Sequence, residues 1–302
     1  MAECGKSVAK AKDIWSLLRP AQWTKNLFLF VPAFFDGRLF QVSVLASVLL
    51  AVASYCMASS AIYCVNDIFD AKYDSVHPVK RTRPIPSGRI SKFTASIIAV
   101  CCVCCSMLIP LLMEHATGIG VRNVIMIYLV LNFLYCVKLK HIVIVDVFTI
   151  AVGFVLRLWA GGISADVQLT HWIVMMTFLL SSFLAFAKRR DDVAIYEKTG
   201  KSMRDNVNRY NLPFMNQTIG VIGSITMVCY VMYTVNEDVI SRIGKDYLYT
   251  TSIFVLAGII RYLQLTIVDV RSGSPTKILL HDRFLQLCVL AWGGLFFFII
   301  YM

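Results

Sequence analysis

The chain is 302 residues long, 58% hydrophobic and only 16% charged, with a formal charge of +11. A mean hydropathy of +0.69 excludes most soluble folds, and the composition also excludes disorder, collagen-like repeats and disulfide scaffolds. Apolar runs of about 18 or more residues alternate with short basic segments, so an all-α, polytopic membrane protein with one domain over residues 1–302 is expected.

Residues 1–25 are basic and mixed, without a short apolar stretch ending in a small-residue cleavage site, so no cleaved signal peptide is expected. Nine apolar segments follow, near 26–36, 40–65, 93–113, 120–137, 142–163, 171–187, 217–235, 247–268 and 284–301. The first is short. With the amphipathic stretch Ile14 to Trp23 before it, it predicts a single helix approached from the membrane surface and kinked at Pro20 and Pro32. The other eight are long enough to span. Nine of the ten cysteines lie in or at the edges of apolar segments, and the Cys-Cys-Val-Cys-Cys run at 101–105 has neither His nor carboxylate beside it. These read as small apolar side chains rather than metal ligands.

The N-terminus and the loops after the second, fourth, sixth and eighth segments hold 23 of the 29 Lys and Arg. The opposite side holds only Arg38, Arg122, Arg242 and Lys245, while Arg157 and Arg261 fall inside segments. This bias places the N-terminus in the cytoplasm of a cell (inner) membrane, and nine crossings place the C-terminus outside. Both large polar loops, 66–92 and 188–216, then share the cytoplasmic face. They carry Asp67, Asp70 and Asp74 in one, and Asp191, Asp192, Glu197 and Asp205 in the other. A transporter would concentrate ionisable groups near the bilayer midplane. Carboxylates at one mouth suit an enzyme that takes a polar substrate from the cytoplasm and a second substrate from lipid. The bilayer, not a nucleic acid, is the expected partner, and the sequence leaves an oligomer open.

The informative stretch runs from Asn66 to Ile85. Asn66, Asp70 and Asp74 are four apart and form one oxygen-lined row on a helix, with Asp67 beside Asp70. Three carboxylates this close repel one another unless a cation binds them. Hard oxygen ligands with room for water favour Mg²⁺ shared with substrate phosphates. Lys80, Arg81 and Arg83 follow at once and supply phosphate-pairing donors. A lone Asp-x-x-x-Asp would read as a solvated helix end. The longer pattern, Asn-Asp-x-x-Asp-x-x-x-Asp followed by His77-Pro78-Val79-Lys80-Arg81-Thr82-Arg83-Pro84, reads as a site for a diphosphate.

This stretch resembles the first Asp-rich motif of the UbiA superfamily of intramembrane prenyltransferases. Further matches are Leu18-Arg19-Pro20 through Gln22-Trp23-Thr24-Lys25-Asn26, Leu139-Lys140-His141, Gly153-Phe154-Val155-Leu156-Arg157 with Ala160-Gly161-Gly162, Lys188-Arg189, Arg261-Tyr262 and Asp282-Arg283. The resemblance implies nine transmembrane helices around a central cavity open to the cytoplasm and to lipid. The His-Pro-x-Lys-Arg-x-Arg-Pro form is similar to the superfamily's phosphoribosyltransferase branch. That implies transfer of 5-phosphoribosyl from phosphoribosyl diphosphate to a polyprenyl phosphate, with Mg²⁺ as cofactor, for cell-envelope arabinan precursors. Asn66, Asp67, Asp70 and Asp74 would hold the metal, with the three aspartates catalytic. The family's second motif resembles Tyr-x-x-x-Lys-Arg-x-x-Glu; Leu184 and Asp192 stand at its Tyr and Glu positions, and Asp146 is acidic as expected.

Lys25 beside Trp23 reads either as an interfacial anchor or as a contact to a substrate phosphate. Arg157, inside an apolar segment and on nearly the same helix face as Asp146, is costly to bury and therefore a functional candidate. Gly153, Gly161 and Gly162 would permit close approach of a ligand or helix. Lys140, Lys188, Arg189 and Asp192 complete the expected substrate-binding set, with Lys25, Lys80, Arg81, Arg83 and Arg157. His115, His171 and His281 have no partner at ligand spacing, and Glu237, Asp238 and Asp246 read as a solvated loop on the far side. Two other readings stay open: an aromatic prenyltransferase using a polyprenyl diphosphate, and a lipid or ion transporter.

Overall fold

A computed structural model describes residues 11–75, 80–200, 207–269 and 275–302. His77, Pro78 and Val79 of the motif, and Asp205, lie outside them. The described residues form helices and connecting turns with no strand. A short helix α1 covers 11–18, followed by a 3₁₀ run Pro20–Phe30 and α2 Val31–Phe35. The long helices are α3 Val42–Ser75, α4 Lys92–Leu108, α5 His115–Val137, α6 Val145–Ala165, α7 His171–Thr199 and α8 Leu212–Thr234. After α9 Glu237–Ile243 come α10 Ser252–Ile267, α11 Pro275–His281 and α12 Arg283–Tyr301.

Eight helical stretches among the described residues are long and apolar enough to cross a membrane, and they match the last eight expected segments within a few residues at most ends. The first expected segment is not among them. Arg19 adopts a left-handed conformation (φ 53°, ψ 59°) between α1 and Pro20, and Pro32 sits in the first turn of α2. The two prolines remove backbone donors and break the stretch into short pieces. The polar loops expected at 66–92 and 188–216 also begin inside helices, because α3 runs on to Ser75 and α7 to Thr199. Large apolar side chains such as Val42, Phe93, Leu112 and Leu290 are 70–83% exposed, which is stable only where lipid rather than water covers them.

The chain divides into two compact units, Met1–Lys140 with Leu156–Gln168, and His141–Val155 with Leu169–Met302. In the first, Leu29, Tyr55, Ile125, Tyr128, Leu156 and Ala160 are core residues. Gly161 matters here: a Cβ on it would lie 2.3 Å from the Leu29 carbonyl oxygen. A smaller core of Leu17, Cys64, Ala71, Ile85, Ile90 and Ala95 seats α1 and the 80–91 turn region against the end of α3. In the second unit Phe183, Phe186, Met215, Ile219, Tyr262 and Leu285 form the core. Side-chain caps start α4, α7, α8 and α12, from Ser91, Thr170, Asn211 and Asp282.

Candidate active site

The last turns of α3 carry Asn66, Asp67, Asp70 and Asp74, so the row expected from their spacing is helical. Asp67 and Asp74 are 1% and 3% exposed. Each carboxylate meets its own cations. Asp67 takes the Arg19 guanidinium at 2.5 Å and Arg83 at 3.2 Å. Asp74 takes Arg83 at 2.5 Å and Lys80 at 3.6 Å. Asp70 takes Lys140 at 2.6 Å and accepts from the Asn66 amide at 3.0 Å. The Asn66 Oδ1 in turn accepts from the Cys136 thiol.

Local sequence explains why the cations arrive there. Arg83 N donates to Lys80 O, Ile90 N donates to Pro84 O, and Gly88 at φ +75° turns the chain between them. Buried Ile85 and Ile90 anchor this turn region, leaving the Arg83 side chain over the carboxylates. Arg89 ties the same region to α1 through Asp13 at 2.8 Å. On the other flank, Leu17 is fully buried, and the left-handed turn at Arg19 aims its guanidinium at Asp67 and across the Tyr63 ring. A non-glycine residue in that conformation costs roughly 1–2 kcal/mol. Arg81 is exposed and has no hydrogen-bond or ion-pair partner among the described residues.

As the side chains stand, no group of three or more His, Cys, Asp or Glu converges on a metal position among the described residues. The donor chemistry nevertheless fits a hard divalent cation: three carboxylates and an amide oxygen on one helix face. Gathering them requires turning carboxylates away from their present cations.

Arg157 forms a second polar group in the first unit. It is 5% exposed, donates to Asn26 Oδ1 at 2.9 Å and to the Tyr128 hydroxyl at 3.0 Å, and lies over the rings of Tyr55 and Tyr128. Asn26 is held by Cys56 and Ser59. Neighbouring Lys25 is reachable by solvent, yet the protein surrounding it, then the charges of Arg157 and Arg19, push its amine down to about 8. It has no hydrogen-bond or ion-pair partner among the described residues.

In the second unit Arg189 and Asp146 form a sealed pair at 2.7 Å, 2% and 0% exposed. Asp192 adds a longer contact to Arg189 at 3.6 Å, and Lys188 is exposed. Arg190 is 4% exposed and donates to Asn216 at 2.6 Å. Among the candidates, then, the structure brings Asp67, Asp70, Asp74, Lys80, Arg83 and Lys140 together, and separately Arg189 and Asp192. Sequence reasoning missed Arg19, Tyr55, Tyr128 and Arg190. Arg19 carried two signals, its place in the Leu18-Arg19-Pro20 match and a charge immediately before a proline, where helical backbone is disfavoured.

Residues 27–287 match the UbiA prenyltransferase family. The chain belongs to this family and is a multi-pass membrane protein. It is 31% identical over 291 residues to the decaprenyl-phosphate phosphoribosyltransferase of Mycolicibacterium smegmatis, covering 92% of this chain and 89% of that one. The Mycobacterium tuberculosis protein of the same name is 30% identical, covering 91% and 90%. Among solved structures, a UbiA homolog from Archaeoglobus fulgidus bound to DMAPP and Mg²⁺ shares the fold, with a TM-score of 0.70 at 16% identity, covering 96% of this chain and 99% of that one.

Proposed function

We propose that this protein transfers the 5-phosphoribosyl group of phosphoribosyl diphosphate to a polyprenyl phosphate. Two phosphoribosyltransferase relatives that cover about nine-tenths of the chain support this reading. The observation that carries it is the row of Asp67, Asp70 and Asp74 ringed by Arg19, Lys80, Arg83 and Lys140, an arrangement matched to a charged diphosphate. A phosphate oxygen of the lipid attacks ribose C1, the C1–O bond breaks, and the diphosphate leaves with the bonding pair. The attacking oxygen is already ionised at neutral pH, so no general base is required.

Asn66, Asp67, Asp70 and Asp74 would hold Mg²⁺, which supplies charge neutralisation at the leaving diphosphate. Arg19, Lys80, Arg81, Arg83 and Lys140 bind and orient the phosphates around it. Lys25 and Arg157 are proposed for the lipid phosphate. The donor arrives from the cytoplasm, the site lies at the inner leaflet of the cell membrane, and the product feeds cell-envelope arabinan synthesis.

The test is transfer by the purified protein in detergent. Ribose-labelled phosphoribosyl diphosphate and a polyprenyl phosphate with Mg²⁺ should move label into the organic phase. No transfer by folded protein, with label passing instead from a prenyl diphosphate to an aromatic acceptor, would replace this reading with the prenyltransferase one.

A further inference from the structure

Asp67 and Asp74 are the most buried carboxylates of the row, at 1% and 3% exposed; Asp67 Oδ1 accepts from both Arg19 and Arg83, Asp74 Oδ2 accepts from Arg83, and Asp74 Oδ1 faces Lys80 at 3.6 Å. A cation that takes Asp67 Oδ1 or Asp74 Oδ2 must displace Arg19 or Arg83 from it. The two sides of these pairs differ in rigidity. The carboxylates stand on α3, a 34-residue helix whose end is packed on Leu17, Ile85 and Ile90. The cations stand on irregular backbone: a left-handed residue before a proline, and a turn after a three-residue 3₁₀ element. Arg19 and Arg83 side chains are 22% and 28% exposed, so their outer ends already face solvent.

We infer that Arg19 and Arg83 are exchangeable counter-ions: they neutralise Asp67 and Asp74 before a divalent cation arrives, and pass to the diphosphate when it does. The inference rests on the proposed metal role of the carboxylates and adds Arg19 as a residue of the site. A divalent cation alone must break three guanidinium–carboxylate contacts and leaves both guanidiniums without their carboxylates. A diphosphate alone meets guanidiniums whose charge is already balanced by carboxylates. Together, the metal takes the carboxylates and the freed guanidinium forks face phosphate oxygens, which they fit in a bidentate manner. Metal and diphosphate therefore bind with positive coupling, and each raises the affinity for the other by the same factor.

The measurement is Mn²⁺ binding to the full chain in detergent, followed by electron paramagnetic resonance, with and without inorganic diphosphate and corrected for the complex they form in solution. Wild type should bind Mn²⁺ weakly alone and more tightly with diphosphate. Arg83→Gln and Arg19→Gln remove the competing charge, so each should bind Mn²⁺ alone roughly three- to tenfold more tightly, with Arg83→Gln, which loses two partly exposed ion pairs, at the upper end and Arg19→Gln, which loses one, at the lower. Their coupling to diphosphate should shrink. Arg83→Lys and Arg19→Lys keep the competing charge and should stay within about twofold of wild type for Mn²⁺ alone. Mere loosening of the fold would weaken Mn²⁺ binding, the opposite sign. If Arg19→Gln does not fold, Arg83→Gln on the turn carries the test. Mn²⁺ binding that is lost in Asp74→Asn but no tighter in either Gln variant would overturn the exchange and leave the metal reading standing. No Mn²⁺ binding under any condition would overturn both.

Discussion

In the first unit Asp67 and Asp74 meet Arg19, Arg83 and Lys80 through cationic side chains 22–38% exposed. In the second, both members of the Arg189–Asp146 pair are sealed, at 2% and 0%. The residue types are the same and the consequences differ. Where the cations reach solvent, the pairs can open at modest cost, and carboxylates become available to a ligand. Where both partners are dry, removing one leaves a bare buried charge, and the pair acts as a fixed strut. A neighbouring Lys-Arg dipeptide is therefore a poor guide to chemistry until its burial is known.

The largest effect that would sharpen this contrast is catalytic. Asp70→Asn and Asp74→Asn should abolish phosphoribosyl transfer while leaving a folded, extractable protein; near-normal turnover in either purified variant would remove the row from the active site. Asp146→Asn should do the reverse in kind, lowering stability by about 3–5 kcal/mol in a thermal or denaturant melt. An Asp146→Asn variant as stable as wild type would show that the second pair is not a strut. Gly161→Ala tests packing in the first unit, since the new Cβ would meet the Leu29 carbonyl. A loss of about 1–3 kcal/mol is expected, and an unchanged melting temperature would contradict the close approach.

The smallest effect is a pH limb. Burial and two arginines hold the Lys25 amine at about 8, below its usual 10.5. Lys25 is charged below that value and neutral above it, so kcat/KM should fall as pH rises through about 8. The same shift has an opposite sign for folding: the unfolded chain holds the proton longer, so stability rises with pH between about 8 and 10.5. Lys25→Arg should flatten the activity limb, and a limb that persists in this variant would assign it to another group.

Much of this molecule was legible in its residues. Eight spans followed from apolar length, and the Asn66–Asp74 row from spacing of four on a helix. The first segment was not, because two prolines and a left-handed Arg19 turn a hydropathy signal into 3₁₀ and short helical pieces. Arg19 was also missed as a site residue. It lies 48 positions before Asp67, and no local pattern announces a contact at that separation. Arg157 stood out as a charge in an apolar run, but its Asn26, Tyr55 and Tyr128 surroundings are tertiary. Likewise Arg189 read as a substrate cation from its motif, and only the fold reveals the sealed pair with Asp146.

The most direct test is a dual-label reaction: donor labelled in the ribose and, separately, at the terminal phosphate, with polyprenyl phosphate, run with Mg²⁺ and after chelation by EDTA. The account predicts ribose label in the organic phase, terminal phosphate label left in water as diphosphate, and both signals lost on chelation and in Asp74→Asn. Terminal phosphate label entering lipid, or full transfer in EDTA, would contradict it.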